Sequence, residues 1–208
     1  MHNKKLETLD ENGKHPAMKL INKEFEKRKN AILYFCITVK HPFKTKIYKL
    51  LYFLDFLHFK QTGRPVTDLE YYTFNFGPVP MKLHKEISKD KIPEELKDCL
   101  EISKEKDETT GKEKYIKLIP KRRPNLDVFT EREKEILEKV ATIFKDAQAK
   151  DMTEVSHLKN EPWDKTKREK GMYKKIDFLL ALDKEALVTT EMAKERIRLS
   201  KEMKELFQ

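Results

Sequence analysis

Between residues 43 and 61 apolar side chains recur on two flanks of a helical spiral. Phe43, Ile47, Leu50, Leu51, Leu54, Leu57 and His58 form one stripe, and Tyr48, Tyr52, Phe56 and Phe59 form a second. A helix apolar on two sides has to be enclosed by neighbours, so this spacing predicts a central helix. Before it, Ile21, Phe25, Ile32, Phe35, Cys36 and Val39 predict a first helix over 19–39, preceded by a polar tail up to Pro16 and closed by Pro42. After it, Thr62-Gly63-Arg64-Pro65 offers a left-handed cap position and then a proline that forbids continuation.

The pattern then changes period. Residues 70–76, EYYTFNF, are rich in β-formers and predict a short strand that stops at Gly77-Pro78. A short helix over 79–89 follows, with Met81, Leu83, His84 and Ile87 as its apolar positions. Residues 99–104 and 114–119 alternate on either side of the polar run DETTGKE and read as a wing-like β-hairpin. Thr130 caps a helix expected over 131–149, with Glu133 at the capping-box position and Ile136, Val140, Ile143, Phe144 and Ala147 toward the core. A short helix over 152–158, a Trp163-anchored loop or helix start, an unassigned run IDFLLAL and a final helix over 190–207 complete the chain. Ala193, Ile197, Ser200, Met203 and Leu206 or Phe207 share one face of that last helix. The fold class is α+β, predominantly α-helical: a compact helical domain with a short strand and a wing-like hairpin.

Composition sharpens this picture. A charged fraction of 39% and a mean hydropathy of −0.78 would suggest disorder if spread evenly, yet 12 Phe and 7 Tyr fall mostly within the periodic segments, which argues for a globular chain. No apolar run reaches the length of a membrane span, and the first 15 residues lack the apolar core of a signal peptide. Two separated cysteines in apolar surroundings, Cys36 and Cys99, fit a reducing compartment, and the expectation is a cytoplasmic protein. The net charge of +9 is uneven: residues 1–49 carry +7, 50–119 carry −1 and 120–208 carry +3. A basic N-terminal region attracts nucleic acid or an acidic partner, or is only a solvated face.

Catalytic chemistry finds few footholds. Five glycines form neither a dinucleotide fingerprint nor a phosphate loop, Ser88, Ser103, Ser156 and Ser200 lie outside any nucleophile elbow, and the two Cys and six His lack metal-ligand spacing. No enzyme, no cofactor and no metal is therefore expected. Asp55 is the one carboxylate inside the central helix, three residues before His58. It is either an acid/base partner of His58 or half of a metal site, which in a metal-dependent hydrolase needs His58 and His157 to converge on it, or a structural acceptor for His58, Arg64 or a backbone amide. Tyr71, Tyr72, Phe74 and Phe76 alternate along the strand, so some enter the core while others face out beside the Gly-Pro-x-Pro corner as anchors for a protein partner. His157 and Trp163 are expected to pack on each other.

The run KLLYFLDFLHFKQTGRPVTDLEYYTFNFGPVP resembles the Panacea, or SocA-like antitoxin, domain, in which a helix reading like KLLYFxDFLHxxxTGRP precedes an aromatic strand ending in YGPVP or FGPVP. Asp55, His58, Gly63, Arg64, Pro65, Gly77, Pro78, His157 and Trp163 are the family-motif positions read here as structural; Leu54 stands where a small residue is expected. The resemblance implies a core over 43–165, leaving a tail and basic helix over 1–42 and a helical extension over 166–208. It also implies an antitoxin of a bacterial or phage toxin–antitoxin pair that binds its cognate protein toxin directly, with a protease or chaperone as a further partner if it acts as an adaptor, operator DNA as another, and no membrane. Tyr71, Tyr72, Phe74, Ile197 and Met203 are the candidate toxin contacts. The alternative class is a winged-helix-like DNA-binding regulator.

Overall fold

The structure is a computed structural model that describes residues 16–88, 91–106 and 113–206. The expected polar tail, most of the DETTGKE turn, the last residue of the 79–89 helix and Phe207 lie outside the described residues. Helix α1 (Pro16–Thr38) and helix α2 (Lys44–Thr62) form the first pair. Ala31, Ile32, Leu33 and Phe35 of α1 are fully buried against α2, so the first helix belongs to the main core. Both predicted stripes of α2 are buried save for the half-covered Leu57 and the half-covered Phe43 just before the helix, and α2 touches α1, α4, α5 and both strand pairs, as a doubly apolar helix must. It ends as the sequence requires: Gly63 adopts φ +63° and returns its N–H to Phe59 O at 2.7 Å.

Strand β1 (Tyr71–Phe74) pairs antiparallel with β2 (Gly77–Pro80) in the register Tyr71↔Pro80, Tyr72↔Val79, Thr73↔Pro78 and Phe74↔Gly77. The Gly-Pro-x-Pro segment is thus a return strand rather than the end of one. Gly77 at φ +108° makes the tight reversal, and the N–H groups missing at Pro78 and Pro80 cost nothing on a strand that needs no second partner. The other edge of β1 is filled by residues 173–176, with Tyr173 N donating to Thr73 O at 2.7 Å and Ile176 N to Tyr71 O at 2.8 Å.

Helix α3 (Met81–Ser88) buries Leu83 and Ile87. The predicted wing is β3 (Leu100–Lys106) with β4 (Glu113–Pro120), tied to the α1–α2 corner by Leu118 N on Pro42 O at 3.1 Å. Helix α4 (Glu131–Ile143) begins with the expected box, Glu133 N on Thr130 Oγ1 and Thr130 N on Glu133 Oε2. It stops six residues before the expected end. The buried Lys46 ammonium captures Lys145 O at 3.1 Å and Lys40 O at 2.7 Å, turning the chain, and Asp151 then caps a fresh helix by accepting from Gln148 N at 2.8 Å. Ile143 is consequently exposed, and Leu137 and Ala141 share the core with Ile136 and Val140.

Helices α5 (Ala149–Ser156) and α6 (Pro162–Lys170) follow, α6 with proline in its first turn. The unassigned IDFLLAL run contains a 3-10 turn at Phe178–Ala181, which lays Phe178 on Phe56 with ring centroids 4.4 Å apart. Helix α7 (Thr190–Glu205), capped by Thr189, buries only Ala193, in a small second cluster with Phe59 and Val188. No helix among the described residues is long and apolar enough to cross a membrane.

Candidate functional site

Asp55 is fully buried and serves as the acceptor that folds the motif turn onto α2. Its Oδ1 takes Val66 N and Thr67 N, each at 2.8 Å, and its Oδ2 takes Tyr71 Oη at 2.7 Å and the Thr67 hydroxyl. Burial pushes the carboxyl up to about 6 against the opposing pull of these donors. The expected backbone amide partner is present; His58 and Arg64 are not its donors. His58 instead donates from Nδ1 to Arg64 O at 2.7 Å and lies 3.1 Å from Thr62 Oγ1, closing the Thr-Gly-Arg-Pro turn on itself.

This network corrects one candidate contact. Tyr71 has no exposed surface and its hydroxyl is bound to Asp55, so it holds the core and cannot touch a partner. The strand's inward face is Tyr71 and Thr73; Tyr72 and Phe74 are half-buried on the other face, and Phe76 at the hairpin tip is 77% exposed.

Behind the tip sits a residue whose role the sequence reading did not assign. Lys49 is buried and donates to Phe76 O, which also accepts from Thr153 Oγ1 at 3.2 Å. A methyl group on Gly77 would run into Lys49 Nζ and lie 3.1 Å from Ser156 Oγ, so glycine there is a matter of space as well as of φ. Burial lowers the Lys49 ammonium to about 8, and no carboxylate offsets that. His157 stacks on Trp163 at 3.5 Å between ring centroids and 16° between planes, as expected; burial, with the Lys49 charge, brings it down to about 4. The signal for Lys49 was in the pattern: it stands next to Tyr48 and Leu50, one in each of the two apolar stripes of the central helix.

Asp55, His58 and His157 therefore take separate partners and do not converge. Among the described residues no cluster of three or more His, Cys, Asp or Glu could hold a metal. Cys36 and Cys99 are buried and unbridged, their thiols raised to about 12 and about 11, chiefly by burial.

A wide recess lies between α7 and the body of the domain, a groove of about 810 Å³. It brings together Gly63, Arg64 and Pro65 of the motif turn, Phe178, and Ile197 and Met203 of α7, the last two 41% and 44% exposed. Helix α7 is moored by Arg196 donating to Thr62 O, by Lys204 bridging Glu24 and Asp68 at 3.1 and 2.5 Å, and by a close approach at Gly63, where a methyl group would come within 3.1 Å of Ala193 Cα. Two candidate contacts from the far end of the chain thus meet three motif residues on one surface.

The basic excess is less available to nucleic acid than its count suggests. Lys27 pairs with Glu133 at 2.5 Å, Arg28 binds Thr67 O, Lys29 pairs with Glu26, and Lys46 and Lys49 are buried. On the wing Lys117 pairs with Glu105 at 3.0 Å.

The chain belongs to the family described as antitoxin SocA-like, Panacea domain, whose model matches residues 47–164, more than half of its length. That membership gives an antitoxin-like domain and points to a non-enzymatic role. No curated protein and no solved structure shows significant similarity to the chain.

Proposed function

We propose that this protein neutralises a protein toxin by binding it directly, and that the groove between α7 and the motif turn is the principal contact. The observation that carries this reading is the convergence of Ile197 and Met203 with Arg64, Pro65 and Phe178 around one open recess. Half-exposed apolar side chains beside a rigid turn gain contact area on binding at little entropic cost, the usual character of an interface anchor. The engaged state of the α1 basic residues and the internal pairing on the wing favour a protein over DNA as the partner. Family membership supplies the class of partner, and the fitting arrangement is a core that presents α7 as its recognition element.

The test is co-expression with the product of the adjacent reading frame, followed by growth rescue and co-purification. The double variant Ile197→Asp/Met203→Asp should retain the wild-type melting temperature within about 3 °C, because both side chains lie outside the buried core and open onto the groove, and should weaken capture about 100-fold. Full rescue and capture by a folded double variant would remove the groove from the interface.

A further inference from the structure

The groove beside α7 carries positive charge that the domain itself leaves unbalanced. Its four carboxylates are all engaged: Lys204 bridges Glu24 and Asp68, Lys175 pairs with Glu70, and Asp177 accepts from Leu179 N at 2.9 Å. Three cations on the same walls have no carboxylate partner among the described residues. Arg196 donates to the Thr62 carbonyl, and the side chains of Arg64 and Lys170, both exposed, have no partner among the described residues at all. Arg64 is also held ready by its own backbone. Its carbonyl accepts from His58 Nδ1 at 2.7 Å and its amide donates to Thr62 Oγ1 at 3.3 Å, so the turn is fixed while the guanidinium stays open to solvent.

Exposed cations without acids, on a surface shared with Phe178, Ile197, Leu199 and Met203, complement a segment that is apolar on one face and acidic beside it. The form of that segment follows from the neighbours. Leu69 and Glu70 of the groove lead into β1, which has β2 on one edge and residues 173–176 on the other, so an extended segment finds no free edge of β1 to pair with. A helix satisfies its own backbone, and the wall from Arg196 to Lys204 runs about 12 Å along α7, the length of two helical turns. A nucleic acid, charged at every phosphate, would meet the four carboxylates as well as the cations. We propose that the groove takes an acidic amphipathic helix of its protein partner, with the apolar face on Phe178, Ile197 and Met203 and carboxylates on Arg64 and Lys170. The inference rests on the reading that this groove binds a protein, and it adds the chemistry of the segment bound.

The probe is the helical peptide acetyl-AELEALAELLEA-amide, titrated into the isotopically labelled full-length protein and followed by amide chemical shifts. Saturable shifts at Gly63, Phe178 and Ser200 are expected, with binding about tenfold weaker for acetyl-AQLQALAQLLQA-amide, in which every glutamate is glutamine. The double variant Arg64→Gln/Lys170→Gln should melt like wild type, because both side chains are exposed and the turn is held through the Arg64 backbone, and should bind the two peptides alike. Equal binding of the two peptides by wild type, or an undiminished preference in the folded double variant, would overturn the acidic character of the segment while leaving the groove as a protein site. Shifts confined to other surfaces, an absence of saturable binding, or tighter binding of an oligothymidylate in the same groove would overturn the proposal as a whole. The variant Ile197→Asp/Met203→Asp keeps the two readings apart: it should lose both peptides, whereas Arg64→Gln/Lys170→Gln should lose only the distinction between them.

Discussion

Asp55 shows how much a single buried carboxylate can organise. Its four donors come from the turn and strand that follow α2, so the side chain sets the angle at which the chain leaves the helix. Replacing Asp55 with Ala strands two backbone amides and two hydroxyls in the core and should lower stability by about 2–4 kcal/mol in denaturant unfolding. The pH dependence has a definite sign. A carboxyl whose folded value is raised to about 6 from 3.8 holds its proton better in the native state, so its contribution is complete below the lower value and is lost as pH rises through the upper one. The stability difference between wild type and Asp55→Asn should therefore move in favour of wild type as pH falls from 7 to 4; a difference independent of pH would mean that Asp55 titrates normally. From the chain alone the need for donors was legible, because an ionised group among Leu and Phe has no alternative, but their identity was not. Val66, Thr67 and Tyr71 are brought to Asp55 by the turn's path through space, whereas His58 and Arg64 are only its neighbours in sequence. Tyr71 was misplaced for the same reason: alternation divides a strand into two faces without telling which is inward.

At the scale of elements, local signals located starts better than ends. The Thr130 capping box and the Gly63 cap are written in adjacent residues and appear as read. The end of α4 depends on Lys46, almost a hundred residues earlier, whose ammonium takes the Lys145 carbonyl, and no periodicity in residues 131–149 carries that information. The hairpin was likewise half visible, since Gly77-Pro78 reads as a stop until a partner strand is known. Gly63 joins the two kinds of constraint, with a left-handed φ from its own turn and a close approach from α7. Gly63→Ala should cost about 1–3 kcal/mol, combining strain at positive φ with displacement of Ala193. Hydrogen exchange should show the loss concentrated in α7; uniform protection of that helix would separate the cap from the mooring.

For the molecule as a whole, the central position of α2 and the α+β class followed from hydrophobic density, since a helix greasy on two sides leaves few alternatives to enclosure. The groove was not foreseeable. It is formed by segments more than a hundred residues apart, and Ile197 and Met203 by themselves look like the ordinary inner face of an amphipathic helix. The uneven charge was read correctly as a tally, but its meaning changed once several of the lysines proved to be paired or buried.

The mooring of α7 has one more consequence. Two of its attachments to the motif turn, the carbonyl of Thr62 and the bare α-carbon of Gly63, belong to the backbone, so the turn acts as a socket that reads the shape of the incoming helix more than the identity of the side chains around it. A terminal segment from another chain with the same Thr-Gly-Arg-Pro turn should plug in if it keeps a small residue at the place of Ala193 and an arginine at that of Arg196. Grafting such a segment in place of residues 190–208 should yield a chimera that melts cooperatively and follows the donor's toxin in capture assays. A chimera faithful to the original toxin would locate discrimination in the body of the domain.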